Sequence, residues 1–140
     1  MAGSFSLDMT HFINHAGTNV NTVTKKVVLD VMRSVIRKSP VDTGRFKGNW
    51  QYGVNDMPTG VTDIHDDSAH GQGGQGTLAH TKGQLPPQAA GKLHWIVNNL
   101  PYSIALEHGH SSQCPPNGMV GLTITEYQAL VQQAVSEVNP

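Results

Sequence analysis

The amino-acid sequence predicts a small α+β domain in which a long helix of the N-terminal half and a C-terminal helix pack on a small antiparallel sheet. Three observations carry this. An apolar stripe with helical spacing runs through residues 20–36, a second runs from 120 to the end, and two short stretches at 49–55 and 93–98 alternate as strands do. At 140 residues, the chain is the size of one ordinary domain.

In chain order, Leu7, Met9, Phe12 and Ile13 recur behind a Ser6 cap and predict a short helix over 6–16 that Gly17 ends. Val20, Val23, Val27, Val31 and Val35 step by three or four, with Val28, Met32 and Ile36 widening the stripe, so one amphipathic helix is expected over 19–38. So many β-branched residues make poor intrinsic helix formers, and this helix must rely on packing. Ser39-Pro40 stops it, because the residue before proline is pushed out of the helical region. Trp50, Tyr52 and Val54 then share one face of a strand over 49–55.

From 56 to 91 periodicity disappears. The stretch holds seven of the fifteen glycines and a tract from Gly71 to Gly76, and it reads as a long Gly-rich variable loop or arm within the domain, mobile or held by a partner. A strand over 93–98 follows, with Leu93, Trp95 and Val97 on one side and Ile96 on the other. Pro101 opens a short helix to 107, residues 108–118 form a loop, and Val120, Ile124, Tyr127, Val131, Ala134 and Val138 mark the last helix.

Charged residues are only 14% of the chain and the formal net charge is -1, which removes any bulk-charge argument for nucleic acid or acidic lipid. The distribution is uneven. Lys25, Lys26, Arg33, Arg37, Lys38, Arg45 and Lys47 are opposed in their segment only by Asp30 and Asp42, whereas the chain beyond is acidic. Such polarity suits head-to-tail contacts between copies, although on the charge pattern alone a solvated helix face is the simpler explanation. The single cysteine, Cys114, leaves no intrachain disulfide and makes an intracellular folding compartment the default expectation. No apolar run is long enough to cross a bilayer, and the N-terminus has no signal-peptide pattern, so no membrane partner is expected.

Several constellations invite chemical readings. Asp42-Thr43-Gly44 is the triplet of aspartic proteases, but here it follows a helix stop instead of an apolar strand, and a turn capped by Asp42 or Thr43 explains it without catalysis. His65, Asp66, Asp67 and His70, with His80 and His94 beyond, could serve as metal ligands or in a hydrolase, yet their spacing matches no closed site. Glu107, His108 and His110 lie too close on a turn to converge on one ion. The Gly71–Gly76 tract lacks the flanking strand, helix and lysine of a phosphate loop. Cys114 has His108 or His110 within sequence reach as a base, but between Gln113 and Pro115 it reads as passive. No catalytic, cofactor or metal site is expected.

Two blocks are more distinctive. The first is Ser39-Pro40-Val41-Asp42-Thr43-Gly44-Arg45-Phe46-Lys47-Gly48-Asn49-Trp50. The second runs from Val97 through Asn98-Asn99-Leu100-Pro101-Tyr102-Ser103-Ile104-Ala105-Leu106-Glu107-His108-Gly109-His110, then Gln113-Cys114-Pro115 and Gly118-Met119-Val120. In this order, with a helix before the first and another after the second, they resemble the tail-completion or head-tail joining proteins of tailed bacteriophages, also called neck proteins or minor tail components. The resemblance covers about positions 5 to 135 and departs at Cys114, where alanine is expected. It implies a structural virion protein, not an enzyme, folded in the host cytoplasm and placed at the head-tail junction. The implied assembly is a ring, typically a hexamer, that meets the head connector or adaptor and the tail tube or tail terminator.

Within the blocks, Pro40 is expected to end the long helix, Asp42 and Thr43 to cap the turn, Gly44 to permit a tight backbone beside Arg45, and Trp50 to anchor the first strand. Tyr102 and Glu107 lie on the short helix, with Glu107 free to meet a basic group of the next subunit. Gly109, His110, Pro115, Gly118 and Met119 would shape an interface loop. Lys25, Lys26, Arg33, Arg37, Lys38 and Lys47 form a basic surface. Two alternatives stay open: contact between that surface and genomic DNA in a channel, and a hydrolase using Asp42 or the His65–His70 cluster.

Overall fold

The computed structural model describes residues 5–7, 20–40, 44–66, 68, 71, 74–108 and 118–138. Its element order is β1 (Phe5–Leu7), α1 (Val20–Arg37), α2 (Arg45–Gly48), β2 (Trp50–Val54), α3 (Gln75–Gln84), β3 (His94–Asn98), α4 (Ser103–Glu107) and α5 (Met119–Val138). The α+β class is as the sequence predicts. No helix among the described residues is long and apolar enough to cross a membrane.

The valine stripe of α1 is buried along its length, from Val23 to Ile36, and packs chiefly on α5. Arg37 in its last turn suits the negative end of the helix dipole. Helix α5 buries Met119, Thr123, Tyr127, Val131 and Ala134. Tyr127, Val131 and Ala134 are buried as expected and Val120 and Val138 pack against the core in part, but Ile124 is 50% exposed; Thr123 takes the inward position instead, its hydroxyl bonded back to Met119 O at 2.7 Å and so not left unsatisfied.

The sheet is antiparallel throughout, in the order β1-β3-β2. Strand β1 occupies Ser6 and Leu7, where a helix was expected to begin; backbone pairing with β3 through Phe5↔Ile96 and Leu7↔His94 overrides the local periodicity. The rest of that expected helix lies outside the described residues. Across β2 and β3 the register pairs Trp50↔Asn98, Tyr52↔Ile96 and Val54↔His94. Trp50 and Tyr52 face the core as expected, and the register puts Ile96 beside Tyr52. The side that carries Leu93, Trp95 and Val97 is therefore not the one that meets Tyr52. Leu93 is exposed and Trp95 half-buried, its indole N–H donating to Asn55 O at 3.0 Å, while Val97 is buried.

Within 56–91 the expected absence of regular structure does not hold. Helix α3 spans Gln75–Gln84 and buries Thr77, Leu78 and Thr81. It is nearly invisible to apolar periodicity, because two of its three buried residues are threonines. Thr81 Oγ1 donates to Thr77 O at 3.0 Å and Thr77 Oγ1 to Asp66 Oδ2 at 2.7 Å, so these hydroxyls enter the interior with partners.

Candidate functional site

The two blocks, about fifty residues apart in the chain, meet at one end of the sheet. Trp50, 3% exposed, lies edge-on to Phe46 with ring centroids 6.0 Å apart, and its indole donates to Ser39 Oγ at 2.8 Å. Ser39 in turn donates to Val35 O at 2.7 Å, tying the helix stop to the first strand. From the second block, Asn98 Nδ2 donates to Phe46 O at 3.0 Å while its Oδ1 accepts from Leu100 N at 3.2 Å. Phe46 also contacts the Tyr102 ring at 5.8 Å. Ser103 Oγ lies 2.8 Å from Leu100 O, closing the turn into α4. Every buried polar group in this knot answers another, which costs little in desolvation and fixes one geometry.

Glu107 ends α4 and caps α5. Its Oε1 accepts from Met119 N at 2.8 Å and Val120 N at 2.9 Å, and its Oε2 from Gly121 N at 2.9 Å. The first amides of a helix have no intrahelical partner, and a carboxylate there also meets the positive end of the dipole. The structure thus gives Glu107 a partner inside the subunit, in place of the basic group of a neighbour. Gly118 makes the contact possible, since it has φ 86° and any Cβ would overlap the Glu107 carboxylate.

Gly44 plays the matching part in the first block. It has φ 80°, and a Cβ would overlap the backbone of Asp66, whose N–H donates to Gly44 O at 2.9 Å. Asp66 is itself buried, accepting from Thr77 Oγ1 and from Ser68 N at 3.0 Å. Lys47 is fully buried, with Nζ 3.1 Å from Ser68 Oγ. It is not part of a basic surface, because α2 turns it inward toward the Asp66 charge. Burial lowers the Lys47 ammonium below its ordinary value, against the attraction of Asp66. For Asp66, burial works to raise the carboxyl, but hydrogen bonds from Ser68 and Thr77 and the charge of Lys47 outweigh it and hold the group below the usual range.

The blocks also hold the loop at 55–65. Asn49 Oδ1 accepts from Thr62 N at 2.8 Å, Thr62 Oγ1 donates to Gly48 O at 2.9 Å, and Asn99 Nδ2 reaches Pro58 O at 3.1 Å and Gly60 O at 3.0 Å. Gln51 Nε2 donates to Gly60 O at 2.9 Å. Asn49 and Asn99 carried no separate signal in the sequence beyond their place in the blocks. Only the fold shows that they serve as anchors.

The remaining candidates divide. Lys26 pairs with Asp30 at 3.3 Å and Glu137 at 2.8 Å, Arg33 with Asp30 at 3.0 Å, and Lys38 with Glu126 at 3.1 Å. Two of these pairs, Lys26–Glu137 and Lys38–Glu126, join the basic segment to α5 within one subunit, and the other two lie within α1. Lys25 is half-buried and Arg37 exposed, with no ion pair to either among the described residues; Arg45 is exposed at the start of α2, and Pro40 is half-buried after α1. Tyr102 is 42% exposed and its neighbour Ile104 47%.

Of the metal-like cluster, Asp66 is committed internally and His65 is exposed, while Asp67 and His70 lie outside the described residues. No group of three His, Cys, Asp or Glu able to hold a metal exists among the described residues. His94, considered with that cluster, has both ring nitrogens occupied: Tyr52 OH donates to Nδ1 at 2.6 Å and Nε2 donates to Ala89 O at 2.8 Å. Burial pushes His94 below its ordinary value and Tyr52 up to about 12. Asp42, Thr43, Gly109, His110, Cys114 and Pro115 also lie outside the described residues. Comparison of the chain with models of known protein families, with curated proteins and with solved structures yields no match.

Proposed function

We propose that this chain is a structural virion protein of a tailed bacteriophage, a ring-forming subunit at the head-tail junction that joins the tail to the head connector as a neck, tail-completion or tail-terminator component. The observation that supports this most is the interlocking of the two blocks that carry the resemblance. Ser39, Phe46 and Trp50 of the first are bonded or stacked to each other and to Asn98 and Tyr102 of the second. Residues at these positions are constrained by one another's geometry, which is what a motif shared by a family of assembly subunits requires. The knot also leaves Tyr102 and Ile104 exposed beside it, apolar surface of the kind a subunit contact covers.

The partners of the proposed subunit are other copies of itself, six in the ring that the resemblance implies, with the connector or adaptor on one side and the tail tube or terminator on the other. The alternative of a DNA-lining surface is less favoured, because Lys26, Arg33 and Lys38 are neutralised by carboxylates and Lys47 is buried. Disrupting the gene in the parent phage tests the proposal: DNA-filled heads and separate tails should accumulate, and the wild-type chain supplied in trans should restore joined particles. Intact infectious particles made without the chain would contradict it.

A further inference from the structure

We infer that the loop at 55–65 of one copy docks into the cleft between α1 and α5 of a second copy; this rests on the ring reading and supplies its subunit contact. A closed ring built from one chain needs two unlike surfaces that fit each other. The loop is one. It is pinned at Pro58, Gly60 and Thr62 by side chains of Gln51, Asn49 and Asn99, so little conformational freedom is lost when it binds. The loop carries Val61, 51% exposed, and the exposed Asp56 and Asp63, and neither carboxylate forms an ion pair among the described residues.

The cleft is the other surface. It is an open cleft of about 250 Å³ lined by the cations Arg33, Arg37 and Lys38, the carboxylates Asp30 and Glu126, and Leu130. Those two carboxylates are already bonded to Arg33 and Lys38, which leaves Arg37, exposed and with no ion pair among the described residues, to give the cleft its uncompensated positive charge. Leu130 offers an apolar wall for Val61. An anionic loop that exposes one valine and a cleft of net positive charge with an apolar side chain in its lining are complementary in both charge and character. The two surfaces belong to different elements, so one copy can present both at once.

Light scattering on the purified full chain tests this with three variants: Arg37→Glu, the pair Asp56→Arg with Asp63→Arg, and all three changes in one chain. The substituted residues are exposed, and thermal melts should match the wild type. The wild type should self-associate, more weakly as salt rises. Arg37→Glu alone and the aspartate pair alone should each raise the concentration needed for assembly by about tenfold or more, and the combined chain, with its charges exchanged, should return toward wild type. A wild type that stays monomeric, single-face variants that assemble normally, or a combined variant that remains dissociated would each overturn the docking. Failure of the neck reading is seen separately, as joined particles forming without the chain.

Discussion

The α1–α5 pair and the knot of the two blocks are both well buried, yet they are held by different physics. Helices α1 and α5 pack together and contribute valines, Met32, Tyr127 and Val131 to one apolar core, whose attraction is non-directional. The knot is held by Asn98, Ser39 and Trp50, with Glu107 fastening it to α5 and Asp66 lying against Gly44 and bonded to Thr77, each at hydrogen-bond distance from named partners. The first kind of interior tolerates exchange among similar shapes. The second does not, because a lost partner leaves a buried polar group unanswered. This difference explains why the helices are visible as periodicity and the knot only as a motif.

The sharpest way to break the contrast is at Gly44. Gly44→Ala forces a side chain into left-handed backbone and into Asp66 at once, and should cost about 3 kcal/mol or more, read as loss of the cooperative thermal transition. Asp66→Ala should cost about 2 kcal/mol or more in a denaturant melt, since it leaves the buried Thr77 hydroxyl and the Ser68 amide without their acceptor and removes the charge that attracts Lys47. Two nearly isosteric changes then compare the regions directly. Asn98→Asp removes the donor to Phe46 O and should cost about 2 kcal/mol, whereas Met32→Leu in the helix pair should cost about 1 kcal/mol or less.

A smaller effect concerns pH. Burial depresses His94 in the folded chain below 6.5, so its contribution is fully present above pH 6.5 and is lost as pH falls through and below that value. The melting temperature should therefore decline between neutral pH and about pH 5, and His94→Gln should flatten the decline. Asp66, held low, adds its own loss only under more acidic conditions, below its ordinary value of 3.8. Smallest is the helix-pair surface. Glu126→Gln breaks a half-exposed pair with Lys38 and should cost under about 1 kcal/mol, less at high salt.

Legibility followed the same division. The stripe of α1, the alternation of Trp50 and Tyr52 and the stop at Ser39-Pro40 are local patterns, and each appears where the sequence places it. Strand β1 was hidden because its pairing with β3 joins residues some ninety positions apart. Helix α3 was hidden because Thr77 and Thr81 carry its buried face. At the candidate site, Gly44 and Trp50 announced their roles, but Lys47 looked like surface charge and Glu107 like a contact for a neighbour. Charge alone does not reveal that one is buried near Asp66 and the other caps α5.

The central claim, a ring subunit at the head-tail junction, is tested most directly by imaging virions of the parent phage at a resolution that traces helices. The account predicts a ring at the neck into which this fold fits, with the loop at 55–65 of each copy seated between α1 and α5 of the next. A neck density that does not accommodate the chain, or a virion that lacks it, would contradict the account.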